Sequence, residues 1–324
     1  MKAVAYTQDG RRDVFRLVDI ATPVPADNEV LIKVCAASAN PLDWKTMRVP
    51  AIVRVISGGR LTKKNKILGC DIAGRVEAVG GNVQQLQPGD EVFGVTGFKG
   101  GGFAEYVCAP EDKLALKPAN ISFEEAAAVP IAALTALQGL RDRGRIQAGQ
   151  NVLIDGASGG VGTFAIQIAK ALGAEVTAVC STRNVDRARS LGGDHVIDYK
   201  REDFAKSGQS YDLILAANAY HSVFDYRRAL RPDGIYVMVG GGMAQILQFL
   251  LLAPLLSLIG SKKMRFFIAK MNKKDLDLLK DLLGARRVVP VIDRRYPLSE
   301  VAEALRYLED GHAQGKVVIN VQQS

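Results

Sequence analysis

Asn151-Val-Leu-Ile-Asp-Gly-Ala-Ser-Gly-Gly-Val-Gly162 is the stretch that decides the fold of this 324-residue chain. An apolar run, Val152 to Ile154, ends in a glycine-rich turn, and Phe164, Ala165, Ile168, Ala169 and Leu172 then follow Val161 at helical spacing. Strand, tight turn and amphipathic helix in that order form the cradle of a dinucleotide pyrophosphate. The glycines let backbone approach the phosphates, and the N–H groups at the helix start point at the anion. On the frame G-x-G-x-x-G the loop reads Ala157-Ser158-Gly159-Gly160-Val161-Gly162, without the first glycine. The pattern alone is weak; its place between a strand and a periodic helix strengthens it.

Outward from that loop, strands and helices alternate. Strands are expected at 151–155, 175–180, 194–198, 211–215 and 234–239, and helices at 161–172, 184–191 and 221–230. Such alternation implies an α/β fold with a doubly wound parallel sheet covered on both faces. The earlier residues read differently, as short strands (Val30–Val34, Ile72–Val79, Ala104–Val107) separated by glycine turns. Ser122 with Glu125 forms a capping box where the texture changes. Past residue 260 the texture is mixed again, with helices expected near 275–283 and 299–308 and a last strand at 316–321.

One segment departs from this plan. Residues 244–259, AQILQFLLLAPLLSLI, are nearly all apolar and precede Lys262 and Lys263. They are shorter than the ~20 residues of a spanning helix. They read as a wall or lid over an apolar pocket, as a dimer contact, or as a helix lying in a membrane interface.

The formal charge is +8. Seven Lys or Arg lie between Trp44 and Leu68 and six between Lys262 and Lys274, with no acid in either stretch. Solvation of a surface is the plain reading; attraction of a phosphorylated cofactor or an anionic membrane is the sharper one. Aromatic residues are not regularly interleaved with these charges, so nucleic acid is not expected. The four cysteines are scattered, as in a reducing compartment, and Met1-Lys2-Ala3-Val4 runs into a strand-like segment without the marks of a signal peptide. Both point to the cytoplasm, with a peripheral membrane contact through 244–274 left open.

The segment after the second strand chooses the cofactor. An NAD site places an acid about 20 residues past the glycines, for the ribose 2′-OH. Cys180-Ser181-Thr182-Arg183-Asn184 has none. Small hydroxyls and a guanidinium suit a 2′-phosphate, so NADPH is expected over NADH.

Asn40-Pro-Leu-Asp-Trp-Lys45, Leu68-Gly-Cys-Asp-Ile-Ala-Gly74, Pro88-Gly-Asp-Glu-Val-Phe-Gly94, Gly102-Phe-Ala-Glu-Tyr106, Leu134-Thr-Ala136, the 156–162 loop, Val196-Ile-Asp-Tyr199 and Gly311-His-Ala-Gln-Gly-Lys-Val317 occur in that order. With them the chain resembles the medium-chain dehydrogenase/reductase superfamily, in its zinc-free quinone oxidoreductase branch, near the chloroplast-envelope and reticulon-interacting groups. The resemblance implies a GroES-like, partly open β-barrel catalytic domain in residues 1–120 and 261–324. The Rossmann domain, 121–260, is inserted between them, with the cofactor in the cleft. A homodimer is implied by the resemblance alone.

The zinc members of that superfamily ligate a catalytic metal at the positions of Asn40, Cys70 and Asp71. Asn40 is no thiolate here, and one soft ligand makes no tetrahedral site, so no metal is expected. Without a Lewis acid, hydride donation to an already electrophilic carbon is the easier chemistry: a small apolar quinone or an α,β-unsaturated carbonyl.

By resemblance, Asn40 holds the nicotinamide ribose and lines the hydride-transfer cleft, and Lys45 presents a cation to the developing oxyanion. Thr135 lies beside the nicotinamide carboxamide. Ser158, Gly159, Gly160, Val161 and Gly162 hold the pyrophosphate, and Ser181, Arg183 and Tyr199 the 2′-phosphate. Gly240 and Gly241 pass backbone along the nicotinamide, and Lys316 is close to the cofactor. Each also has a plain structural reading: a turn Asn, a surface Lys, a helix-interior Thr, a half-buried Tyr. Two other functions stand beside the reductase: an NADPH-binding interaction or structural protein with little turnover, and alcohol dehydrogenation.

Overall fold

The computed structural model describes residues 1–9, 12–45, 66–97, 100–258, 260–311 and 313–322. Two compact units emerge. The first gathers Met1–Ile131, Met271–Gly284 and Ile292–Ser324; the second gathers Ala132–Lys270 and Ala285–Val291.

The second unit is built on a six-stranded parallel sheet. In chain order its strands are Asn151–Asp155, Glu175–Cys180, His195–Asp198, Tyr211–Ala216, Leu230–Met238 and Lys263–Phe266, and across the sheet they run 3-2-1-4-5-6. This is the dinucleotide-binding order, whose switch point lies between the first and fourth strands. Register carries the burial: Val152 lies opposite Val176 on one side and Leu213 on the other, all fully buried. Strands covered on both faces must be apolar throughout, and Val152-Leu-Ile154 is. The helix Gly160–Ala171 follows the glycine turn and buries Gly162 through Ala169.

The sixth strand, Lys263–Phe266, was not expected from the sequence. Its four residues, KMRF, carry two cations and show no apolar run. It forms the sheet edge, with only Leu230–Met238 as a neighbour. The fifth strand begins at Leu230 rather than 234, because Pro232-Asp-Gly234, which reads as a turn, is absorbed as an irregularity with Asp233 at φ +63°. The apolar segment forms the helix Met243–Leu258, with Pro254 inside it.

The first unit is β-rich. Its larger sheet orders the strands Ile292–Pro297, Lys316–Asn320, Glu29–Ala39, Asp71–Val79, Glu91–Val95 and Leu114–Leu116, with Tyr106–Pro110 also paired to Glu29–Ala39. The late strand Lys316–Asn320 runs antiparallel to Glu29–Ala39, setting Val317 opposite Ala39. The chain thus returns, after its parallel-sheet unit, to complete a core of Val30, Ile32, Val34, Val317 and Ile319.

The unit boundaries differ from the expected 120/121 and 260/261. The capping box at Ser122 and Glu125 is present, but it starts a short helix, Phe123–Ala127, that packs on the strands Glu29–Ala39 and Asp71–Val79 of the first unit. The second unit begins ten residues later, inside the helix Pro130–Gln138. It also reclaims 285–291, through Gln167, whose side-chain amide pairs with both the N–H and the C=O of Val289.

Candidate functional site

The glycine turn explains its own departure from the fingerprint. Gly156, just before the missing first glycine, sits at φ +76°, where a Cβ would meet the Asn218 backbone N at 2.8 Å. It makes the tight turn one residue early. A Cβ on Gly162 would lie 2.1 Å from the Gly156 carbonyl oxygen, so only glycine lets the helix close on the strand. Gly159 differs from both. It is the N-cap, in extended conformation, and a Cβ there would find its nearest neighbour, the Gly156 oxygen, at 3.6 Å. The space over Gly159 is open. No side chain caps the helix, and the first-turn N–H groups of Gly160, Val161 and Gly162 have no partner within the helix. Backbone donors facing an open cradle at the switch point fit a dinucleotide pyrophosphate.

The neighbouring strand end lies alongside. Ala157 N–H donates to the Val179 carbonyl (3.0 Å), and Tyr199 N–H donates to the Cys180 carbonyl (3.0 Å). Ser181 and Tyr199 therefore sit at adjacent strand ends next to the glycine turn. Arg183 is exposed in the turn Thr182–Asn184, and Tyr199 is 57% exposed. An acid missed by the sequence reading, Asp198, ends the third strand here. Its Oδ2 accepts from the Thr182 hydroxyl (2.6 Å) and lies 3.5 Å from Arg201, and its Oδ1 accepts from the Lys200 N–H (3.0 Å). The Thr182 hydroxyl, foremost, holds the Asp198 carboxyl below its ordinary value. This charge is already committed, and Arg183, Lys200 and Arg201 outnumber it. Lys200 and Arg201 were legible as the residues following Val196-Ile-Asp-Tyr199.

Below the loop, Asp155 ends the first strand fully enclosed. The Tyr226 hydroxyl donates to its Oδ2 and in turn accepts from the Tyr220 N–H (3.0 Å). Burial pushes the Asp155 carboxyl up to about 6, against the Tyr226 hydrogen bond that pulls it down. Gly240, after the fifth strand, leaves no room for a side chain: a Cβ would meet the Ala217 oxygen at 2.3 Å. Gly241 bridges to Ala219. Thr135 lies half-buried in the helix Pro130–Gln138, one residue short of the last turn before a π-helical stretch, Gly139–Arg143.

The first unit holds a separate polar cluster, all of it buried. Register creates it. Ser38 lies opposite Asp71 in one strand pair and opposite Val318 in the other, so Asn40, Asp71 and Lys316 converge from three distant parts of the chain. Asp71 Oδ2 accepts from the Ser38 hydroxyl (2.8 Å), the Asn40 Nδ2 (2.9 Å) and, at 3.3 Å, the Lys316 ammonium; its Oδ1 accepts from the Ile131 N–H (3.0 Å). Lys316 Nζ also donates to Asn40 Oδ1 at 2.6 Å. Asp43 Oδ2 accepts from the Asn40 N–H (2.8 Å), and burial pushes its carboxyl up to about 7. Burial and the two aspartates push the Cys70 thiol well above its ordinary value.

This donor set does not fit zinc. It offers a single thiol, the carboxylate oxygens of Asp71 are occupied by four donors, and the ammonium of Lys316 already supplies the cation. Among the described residues no group of three or more His, Cys, Asp or Glu is disposed to hold a metal ion. The sequence reading named Asn40 and Lys316, missed Ser38, and named Asp71 only as a metal-ligand position of the zinc members. Its available signal was an acid inside the apolar run Cys70-Asp-Ile-Ala73. The side chain of Lys45 and the residue His312 lie outside the described structure. His195 pairs with Glu175 (2.9 Å), and His221 packs edge-on against Phe204.

Comparison with known proteins agrees with both units. Residues 26–119 match the alcohol dehydrogenase GroES-like domain, and residues 191–319 match the zinc-binding dehydrogenase family. The chain is 36% identical to 2-methylene-furan-3-one reductase of Solanum lycopersicum, over 99% of this chain and 79% of that protein. It is 33% identical to a chloroplastic quinone-oxidoreductase homolog of Spinacia oleracea, covering 98% of each. The solved quinone oxidoreductase of Coxiella burnetii superposes with a TM-score of 0.85 at 32% identity, covering 99% of each chain. With the switch-point glycine turn already in place, these likenesses make the chain a member of the medium-chain dehydrogenase/reductase superfamily, in its quinone oxidoreductase-like branch, and an oxidoreductase that uses a nicotinamide cofactor.

Proposed function

We propose that this oxidoreductase is an NADPH-dependent reductase of quinones or α,β-unsaturated carbonyl compounds that works without zinc. The observation that carries the reading is the glycine turn at the switch point, open over Gly159, with three cations at the adjacent strand ends. When bound, the reduced nicotinamide supplies a hydride. The backbone from Ser158 to Gly162 holds the pyrophosphate at the helix N-terminus. Ser181, Arg183 and Tyr199 take the 2′-phosphate, with Lys200 and Arg201 adding to the positive potential. Thr135, Gly240 and Gly241 are assigned to the nicotinamide end.

Asn40 is assigned to the nicotinamide ribose, and Asn40 and Asp71 together fix the buried ammonium of Lys316. An ammonium carries three donors; we assign one of those on Lys316 to the cofactor. Lys45 is assigned to the oxygen that gains charge as the neighbouring carbon accepts hydride. Such a substrate needs only a hydrogen bond or a proton at that oxygen, and among the described residues no donor set is disposed to hold a zinc ion. The names of the tomato and spinach relatives, an enone reductase and a quinone oxidoreductase homolog, support the two substrate classes. Four thiols without a disulfide suit the reducing cytoplasm.

The test is oxidation of NADPH and NADH against a panel of quinones, short enals and long-chain enones, before and after exhaustive chelation. Turnover of one class, faster with NADPH and indifferent to chelation, is expected. Tight NADPH binding without turnover on any member would turn the reading to a binding protein.

A further inference from the structure

The helix Met243–Leu258 is apolar over most of its circumference, with Gln245, Gln248 and Ser257 as its polar side chains. Its inner face, with Ile246, Phe249, Ala253 and Leu256, packs on the core of the second unit. Its outer face carries Met243, Leu247, Leu250, Leu251, Leu255 and Leu258 at helical spacing, each 53–82% exposed. A helix on a globular surface ordinarily puts polar residues there. A contiguous apolar stripe about 24 Å long marks a contact surface. At 16 residues the helix is too short to span, and no helix among the described residues is long and apolar enough to cross a membrane.

Charge decides what covers it. Residues 234–274 contain six Lys or Arg and no acid. Lys262 and Lys263 follow the helix and are tied to its surroundings: Lys262 Nζ donates to the Arg227 carbonyl (2.9 Å) and Lys263 Nζ to the Ser257 carbonyl (3.3 Å). Arg265, on the edge strand, donates to the Arg143 carbonyl (2.5 Å). Burial first, and then the charges of Arg145 and Arg143, lower its pKa, so these cations lie close enough to repel. A second copy docked through this face would gather the cations of both copies at one contact, with no acid in 234–274 to offset them. An anionic bilayer accepts both parts: leucines enter the boundary of the acyl region, and cations meet the lipid phosphates.

We propose that the helix Met243–Leu258, with Lys262, Lys263 and Arg265, docks the protein peripherally on an anionic lipid surface, the helix lying in the plane of the interface. The proposal is independent of the substrate.

Flotation of the full chain with phosphatidylcholine vesicles, with and without phosphatidylserine, tests it. Binding is expected only with phosphatidylserine, and to fall as salt is raised. Lys262→Gln/Lys263→Gln/Arg265→Gln should weaken it by about fivefold per cation, on the order of 100-fold together. Leu251→Gln/Leu255→Gln should weaken it at least about tenfold per leucine. Leu251, Leu255 and Lys263 are exposed and Lys262 and Arg265 partly so; far-UV spectra and melting midpoints establish that each variant is folded at the assay temperature, so a loss of flotation reads the surface. Three results would overturn the proposal: no flotation with phosphatidylserine at low salt, flotation that neither variant alters, or a leucine variant that converts a sedimenting dimer to monomer while leaving flotation unchanged.

Discussion

Three glycines of one turn do three different jobs, and single substitutions separate two of them. Gly162→Ala puts a methyl 2.1 Å from a backbone oxygen that cannot move without opening the strand–helix turn, and should cost about 1–3 kcal/mol of stability. Gly159→Ala meets nothing closer than 3.6 Å and should fold normally, yet fill the cradle and weaken the cofactor. A melting curve beside a fluorescence titration distinguishes the two. At the ribose end, Arg183→Ala should weaken NADPH roughly 10- to 150-fold, since a charge-assisted hydrogen bond is worth about 1.5–3 kcal/mol, and leave NADH nearly unchanged. Equal losses for both cofactors would refute the 2′-phosphate assignment. The glycines of the turn were legible because backbone chemistry and local spacing identify them. Asp198 was not, because it reaches Thr182 only through the parallel pairing of Cys180 with Asp198.

Elements meet at the switch point through one buried tie. Tyr226, on the helix Val223–Arg228, donates to Asp155 at the end of the first strand and accepts from the loop that follows the fourth. Tyr226→Phe should cost about 1–3 kcal/mol, because it strands a buried carboxyl and an N–H together. Thermal denaturation measures it. The strands and helices nearest the opening stretch were readable from period alone. The edge strand Lys263–Phe266 was not: four residues with two cations carry no pattern, and only pairing with Tyr236 and Val237 makes them a strand. The apolar helix was readable as apolar, but which of its faces packs inward followed from Phe249 and Ala253 finding the sheet.

Across the molecule, the first unit depends on a contact 276 residues apart in sequence, Lys316 to Asn40. Lys316→Met leaves the buried Asp71 carboxyl without its cation, and should cost about 3–5 kcal/mol in chemical denaturation; adding Asp71→Asn should recover part of it. The same cluster predicts a pH dependence. Asp43, pushed up to about 7 in the folded state, binds a proton there that the unfolded chain releases near pH 4. Stability from this group therefore falls as pH rises from about 4 to 7 and is flat above. Asp155, raised to about 6, adds the same sign over the lower part of that window. The stability of the parent minus that of Asp43→Asn should decrease over that range. A rise of that quantity with pH would contradict it. By itself the sequence determined the parallel-sheet unit and its glycine turn, because periodicity and backbone freedom are local properties. Tertiary structure alone decided that Ser38, Asn40, Asp71 and Lys316 share one buried charge network, and that an apolar helix keeps a leucine face outward, because both depend on which distant strands pair.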